Sequence, residues 1–160
     1  GLDHREWVPE APGDPRVDIA GRVVDACAGA RTVVAYNAGF EKSCLETLAR
    51  ALPDQAVALH DVISRLADPL PVVREHVYHP DFDGSFSLKK VLPALVPDLG
   101  YDDLAIAGGD SASRELMRLV VDDGTLLAAE RAITREALLR YCERDTIGMV
   151  RVLARLRELA

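Results

Sequence analysis

A chain of 160 residues, 49% apolar and 28% charged, has the length of one ordinary domain and the balance of a globular protein, which excludes disordered and fibrous classes. Its longest run without Asp, Glu, Lys or Arg is Thr32 to Phe40, well short of the about 20 apolar residues that span a membrane. The net charge of −7 argues against coating long duplexes by phosphate neutralisation, yet leaves room for an enzyme that grips a chain end through a local basic lining.

The start, "GLDHREWVPE", carries neither a basic nor an apolar leader segment. An extended piece is expected around Trp7 and Val8, followed by a turn-rich break at "EAPGDPR". Asp14 then Pro15 read as N-cap and first helical position of a helix reaching about Ala28, with Gly29 and Ala30 ending it. Thr32 to Tyr36 reads as a strand without a solvent-facing side, of the kind covered on both faces inside an α/β sheet. A helix is expected from about Phe40 to Leu52, with Phe40, Cys44, Leu45 and Leu48 on one face and Pro53 as its stop. Val57 to Leu66 is ambiguous.

Pro69 and Pro71 read as further breaks. Val72 to Ser87 reads as a loop anchored by Tyr78, Phe82 and Phe86, with Gly84 turning it. A short helix from about Ser87 to Leu95 follows, then one opening near Asp110 or Ser111 and closed by Asp122 to Gly124. A long helix from about Thr134 to Leu159 comes last, with Ile133 as a hydrophobic staple before it. Cys27, Cys44 and Cys142 are widely spaced and form no CxxC pair, which predicts buried free thiols in a reducing cytoplasm. Residues 1–160 read as a single domain of α/β class, helix-rich with few strands.

Two carboxylates stand in awkward places. Glu41 falls in the first turn of the helix that follows the strand, at the mouth of the sheet where open α/β folds bind ligands. Its plain alternative is a favourable interaction with the helix dipole. Asp145 lies inside the apolar stripe Leu138, Tyr141, Cys142, Asp145, Met149, Val152 and Leu156, one turn from Tyr141. Its alternative is a packing role with a backbone or arginine partner. A shared divalent metal would account for both.

"YNAGFEKS" resembles the second motif of the DEDD group of 3′–5′ exonucleases, which have an RNase H-like fold, with Asn37 and Glu41 four residues apart. "YCERD" resembles the third motif, Tyr-x3-Asp, of the tyrosine-bearing subgroup, and "SLKKVLPALV" the helix after the middle strand. Together with "YHPDFDGSFSLKKVLPALVPDLGYDDL" and "YCERDTIGMV", these segments are similar to a bacterial family, a domain of unknown function, of predicted RNase H-like nucleases, over nearly the whole chain.

The resemblance implies metal-dependent hydrolysis of phosphodiester bonds at single-stranded DNA or RNA ends, with a two-metal site of Mg²⁺ or Mn²⁺. Asp145 and Glu41 would be metal ligands, and Tyr141 would orient the attacking water. Asn37, Phe40, Lys89 and Lys90 would border the nucleic acid. Two departures stand out. Glu41 replaces the usual Asp, and the first motif, Asp-x-Glu on an opening strand, is absent: "DHRE" at Asp3 to Glu6 has the wrong spacing. The resemblance therefore implies a domain truncated at its N-terminus, with an incomplete metal site that an upstream part of the same protein completes. The competing reading is a non-catalytic nucleic-acid-binding or protein-docking module of a larger nuclease, in the cytoplasm and without a membrane.

His76, His79, Asp81 and Asp83 in "HVYHPDFDG" invite a metal reading, but the pattern lacks the later acidic ligands of a calcium loop. "AGGDSAS" lacks the Lys-Ser/Thr of a phosphate loop and reads as a helix cap.

Overall fold

A computed structural model describes residues 1–121 and 126–159 of the chain. Among these residues it is helix-rich, with seven α-helices and a single two-stranded sheet. No described helix is long and apolar enough to cross a membrane. The chain divides into two compact units, Arg16–Ser87 and the combination of Gly1–Pro15 with Leu88–Ala160.

The unit Arg16–Ser87 carries the sheet. Helix α1 spans Arg16–Ala26, and Gly29 in the left-handed conformation (φ 73°) turns the chain away from it. Strand β1 is only Val33–Val34, followed by helix α2, Gly39–Ala51. A 3-10 turn, Pro53–Gln55, leads into α3, Ala56–Ser64, and strand β2 is Leu66–Ala67. The strands run parallel, with Val33 opposite Leu66 and Val34 opposite Ala67. The sequence expectation of a longer strand covered on both faces is corrected here. Val33 and Val34 are both half-buried and have one neighbour, so two residues of ladder suffice.

The core beneath this sheet is built from Ala20 of α1, Leu45 and Ala49 of α2, and Leu59 and Val62 of α3. Leu45 and Ala49 are one helical turn apart, as an inward stripe requires. The expected stripe placed Phe40 and Cys44 inward, but Phe40 is 68% exposed and Cys44 is exposed too. Arg65 fastens the loop after α1 to this core: its guanidinium donates to the carbonyls of Cys27 (2.9 Å) and Ala30, and pairs with Asp61 at 2.7 Å.

Helix α4, Leu70–His76, occupies sequence expected to be loop. Pro69 precedes it and Pro71 lies in its first turn, where a missing N–H costs nothing. A 3-10 turn, Pro80–Phe82, follows. Phe82 is buried and packs edge-on against Phe86 with centroids 5.9 Å apart, whereas Tyr78, expected as an anchor, is 88% exposed. Gly84 (φ 74°) turns the chain as expected.

In the other unit, residues 1–9 form no helix or strand, but Val8 is buried with Ile106, Leu119, Leu138 and Leu139. Helix α5 is Leu88–Leu95, α6 is Gly109–Val120 and α7 is Ala128–Leu159. The expected stop of α6 at Asp122 to Gly124 lies outside the described residues. Helix α7 begins a turn and a half earlier than expected, so Ile133 lies within it, 70% exposed, and is no staple. Leu92 of α5 is fully buried against α7, where an ideal Cβ on Gly148 would stand 2.6 Å from Leu92 Cδ2. The thiols are a further correction: Cys27 is half-buried, and Cys44 and Cys142 are exposed.

Candidate functional site

The site is organised by α7. Leu138 and Val152 of the expected stripe are buried, and Tyr141, Asp145, Met149 and Leu156 between and beyond them are half-buried; Cys142 is exposed. Because 3.6 residues make a turn, Tyr141 and Asp145 project from the same side of the helix.

The partner of Asp145 is a residue that the sequence reading did not single out. The hydroxyl of Tyr101, in the loop between α5 and α6, donates to Asp145 Oδ1 at 2.6 Å. The side chain of Tyr101 is buried, 7% exposed. Arg144, the neighbour of Asp145 on α7, grips the same loop on either side of Tyr101. Its guanidinium donates to the Gly100 carbonyl and makes a two-pronged pair with Asp103, at 2.8 and 2.7 Å. Asp103 thereby absorbs the charge of Arg144, and Asp145 forms no ion pair among the described residues. The sequence alternative of an arginine partner for Asp145 therefore does not hold within this unit.

Burial, and then the neighbouring Asp145 charge and hydrogen bond, push the Tyr141 hydroxyl up to about 12. Burial and the bond to Asp145 raise Tyr101 further still. Both phenols thus remain protonated at neutral pH, and the Tyr101 hydroxyl donates to the carboxylate. Their rings lie 6.3 Å apart, tilted by 46°. Lys89 sits over the Tyr101 ring, its Nζ 5.9 Å from the centroid. The same amine lies 2.9 Å from where a Cβ on Gly108 would stand, and the Tyr141 hydroxyl 3.9 Å from the corresponding point on Gly109. The "AGGDSAS" segment is accordingly a helix opening, as expected, and its glycines leave room for these two polar groups. Lys90 is exposed.

Asn37, Phe40 and Glu41 belong to the other unit. Asn37 adopts the left-handed conformation at φ 62°, one that its short polar side chain tolerates. Asp68, just past β2, accepts from the backbone N–H groups of Asn37 and Ala38, each at 2.9 Å, and from Leu70 N–H at 2.9 Å. It therefore fixes the turn from which α2 starts. The helix has no side-chain N-cap, and Glu41 supplies the acid of its first turn, half-buried with Oε2 shielded from solvent.

The histidine segment has a local explanation. His79 Nδ1 accepts from Asp81 N–H at 3.2 Å and caps the 3-10 turn. Among the described residues no three His, Cys, Asp or Glu side chains are grouped to hold a metal ion. The donor set around Asp145 is one carboxylate and two phenols, which by itself does not fit a two-metal centre. A cleft of about 500 Å³, with Asp103, Leu104, Ala132 and Ile133 among its lining, lies in the same unit as α7.

A family model described as a domain of unknown function (DUF2779) matches residues 1–87, a span that includes Asn37, Phe40 and Glu41 and ends before α5. No curated protein and no solved structure matches the chain.

Proposed function

The chain belongs to the DUF2779 family, and we propose that it is part of an RNase H-like nuclease of the DEDD type, hydrolysing phosphodiester bonds from the 3′ end of single-stranded nucleic acid. One observation carries this reading. Asp145 is a half-buried carboxylate that accepts from the Tyr101 phenol, one turn from Tyr141, and has no cation partner among the described residues. A half-buried carboxylate without a cation partner on a largely apolar stripe is costly for stability alone, and is what a site that recruits a cation or orients water needs.

In this reading Tyr141, protonated at neutral pH, orients a water molecule beside the carboxylate through its hydroxyl. Lys89, with no acidic partner among the described residues, contacts a phosphate of the strand, and Lys90 adds to the local positive charge. Glu41, Asn37 and Phe40 keep the roles that the second-motif resemblance implies. The exposed ring of Phe40 suits stacking on a base. Mg²⁺ or Mn²⁺ would supply charge stabilisation and a polarised water. The residues grouped around Asp145 do not supply such a centre alone. Further carboxylates from another segment of polypeptide complete the site.

A second reading is a nucleic-acid-holding module without catalysis, in keeping with the lone carboxylate among the described residues around Tyr101 and Tyr141. The test uses the full-length protein, a 5′-labelled single-stranded oligonucleotide as DNA and as RNA, and Mn²⁺ in the buffer. A ladder of shortened products supports the nuclease. Binding without any ladder, in a protein shown to be folded, supports the module.

A further inference from the structure

We propose that Tyr101 is a positioning residue for Asp145, holding the carboxylate in one orientation through its hydroxyl. The inference rests on the nuclease reading and concerns the same site. Tyr101 lies on a loop, where a side chain is ordinarily free to turn, yet it is among the most buried aromatics of the chain. Arg144 fixes the loop at Gly100 and at Asp103, the positions that flank Tyr101. Within the loop, Leu104 N–H donates to the Tyr101 carbonyl at 3.1 Å. The backbone around Tyr101 is thus pinned to the residue next to Asp145, and the hydroxyl has a 2.6 Å bond to Oδ1 as its outlet.

An aspartate has two side-chain torsions and, on a helix, more than one accessible rotamer. The bond to Oδ1 selects one of them and leaves Oδ2 outside that bond. The phenol cannot replace the carboxylate in chemistry, since burial keeps its proton in place; it acts by aiming Asp145. The ring has a second contact on the same site, the Lys89 amine, so one buried side chain orients the acid and supports the base.

The test compares Tyr101→Phe with the unaltered full-length protein. The substitution keeps the ring and its burial and removes only the hydroxyl. Three readouts separate positioning from simple support: the Hα–Hβ couplings of Asp145 by NMR, kcat and KM on a single-stranded oligonucleotide, and the melting temperature. The expected result is rotamer-averaged couplings at Asp145 and a kcat lowered about ten- to hundredfold with KM retained, as when the residue supporting a catalytic group is removed. Unchanged couplings, or averaged couplings with an unchanged kcat, overturn the inference while leaving the nuclease reading intact. Loss of kcat in proportion to loss of folded protein overturns it as well. If the unaltered protein itself cuts nothing, the nuclease reading fails, and this inference falls with it.

Discussion

Asp68 accepts hydrogen bonds from the backbone N–H groups of Asn37 and Ala38, one on each carboxylate oxygen, at 2.9 Å. The side chain just beyond β2 therefore builds the turn beyond β1 and sets the first turn of α2, on which Glu41 stands. Asp68→Ala is expected to destabilise the protein by about 2–3 kcal/mol, since a charged acceptor serving several donors is lost and Asn37 is left in its left-handed conformation without support. Asp68→Asn keeps one acceptor oxygen and should cost about half as much. Urea denaturation of the two variants checks the order.

Gly148 sits where α7 meets α5. A methyl group there would press on the fully buried Leu92, with three side-chain carbons within 3.5 Å. Alanine gains about 1 kcal/mol of helix propensity over glycine, while overpacking a fixed core costs about 1–3 kcal/mol. The net expectation for Gly148→Ala is destabilisation by about 1 kcal/mol, and for Gly148→Ala with Leu92→Val a partial recovery. Thermal melts of the single and double variants read this directly.

The pH dependence of stability has an acid and an alkaline limb with identifiable owners. The Arg144 guanidinium holds the Asp103 carboxyl below the usual carboxylate range. A depressed folded value means the contribution is present above the unfolded value, about 4, and is lost as pH falls through the folded one. Tyr36 is pushed up to about 12 by burial and by the Asp68 charge, with Arg74 opposing, and its hydroxyl donates to the Phe86 carbonyl at 2.8 Å. A raised folded value means stability present below about 10 and lost between about 10 and 12. Melting temperatures across pH should show Arg144→Ala flattening the acid limb and Tyr36→Phe reducing the alkaline one, to which the raised Tyr141 and Tyr101 also contribute. The same slopes in the variants would contradict these assignments.

The reach of sequence reasoning follows from which contacts are local. The apolar stripe of α7 was legible because Leu138, Asp145 and Val152 recur at helical spacing, and this alone exposed Asp145 as an outlier. Tyr101 was not legible as its partner, because the bond joins residues 44 apart and one of them lies in a loop. Asp68 escaped for the same reason, bonding across 31 residues to a turn. Prolines misled where position outweighed identity: Pro69 and Pro71 open α4 rather than interrupt it. Phe40 was read inward from periodicity, but a helix start beside a short strand leaves its first residues exposed. The two-residue strands were overextended because a β-branched run shows propensity and not the number of neighbours available to pair with it.

The central claim is that Asp145 is the working carboxylate of a nuclease site and Tyr141 its water-orienting neighbour. Its most direct test is the single-turnover rate of Mn²⁺-dependent shortening of a 5′-labelled single-stranded oligonucleotide by the full-length protein, beside Asp145→Asn and Tyr141→Phe. The account predicts that Asp145→Asn abolishes the ladder and that Tyr141→Phe slows it about hundredfold, with all three proteins folded and binding the oligonucleotide. A ladder of undiminished rate in Asp145→Asn would contradict it.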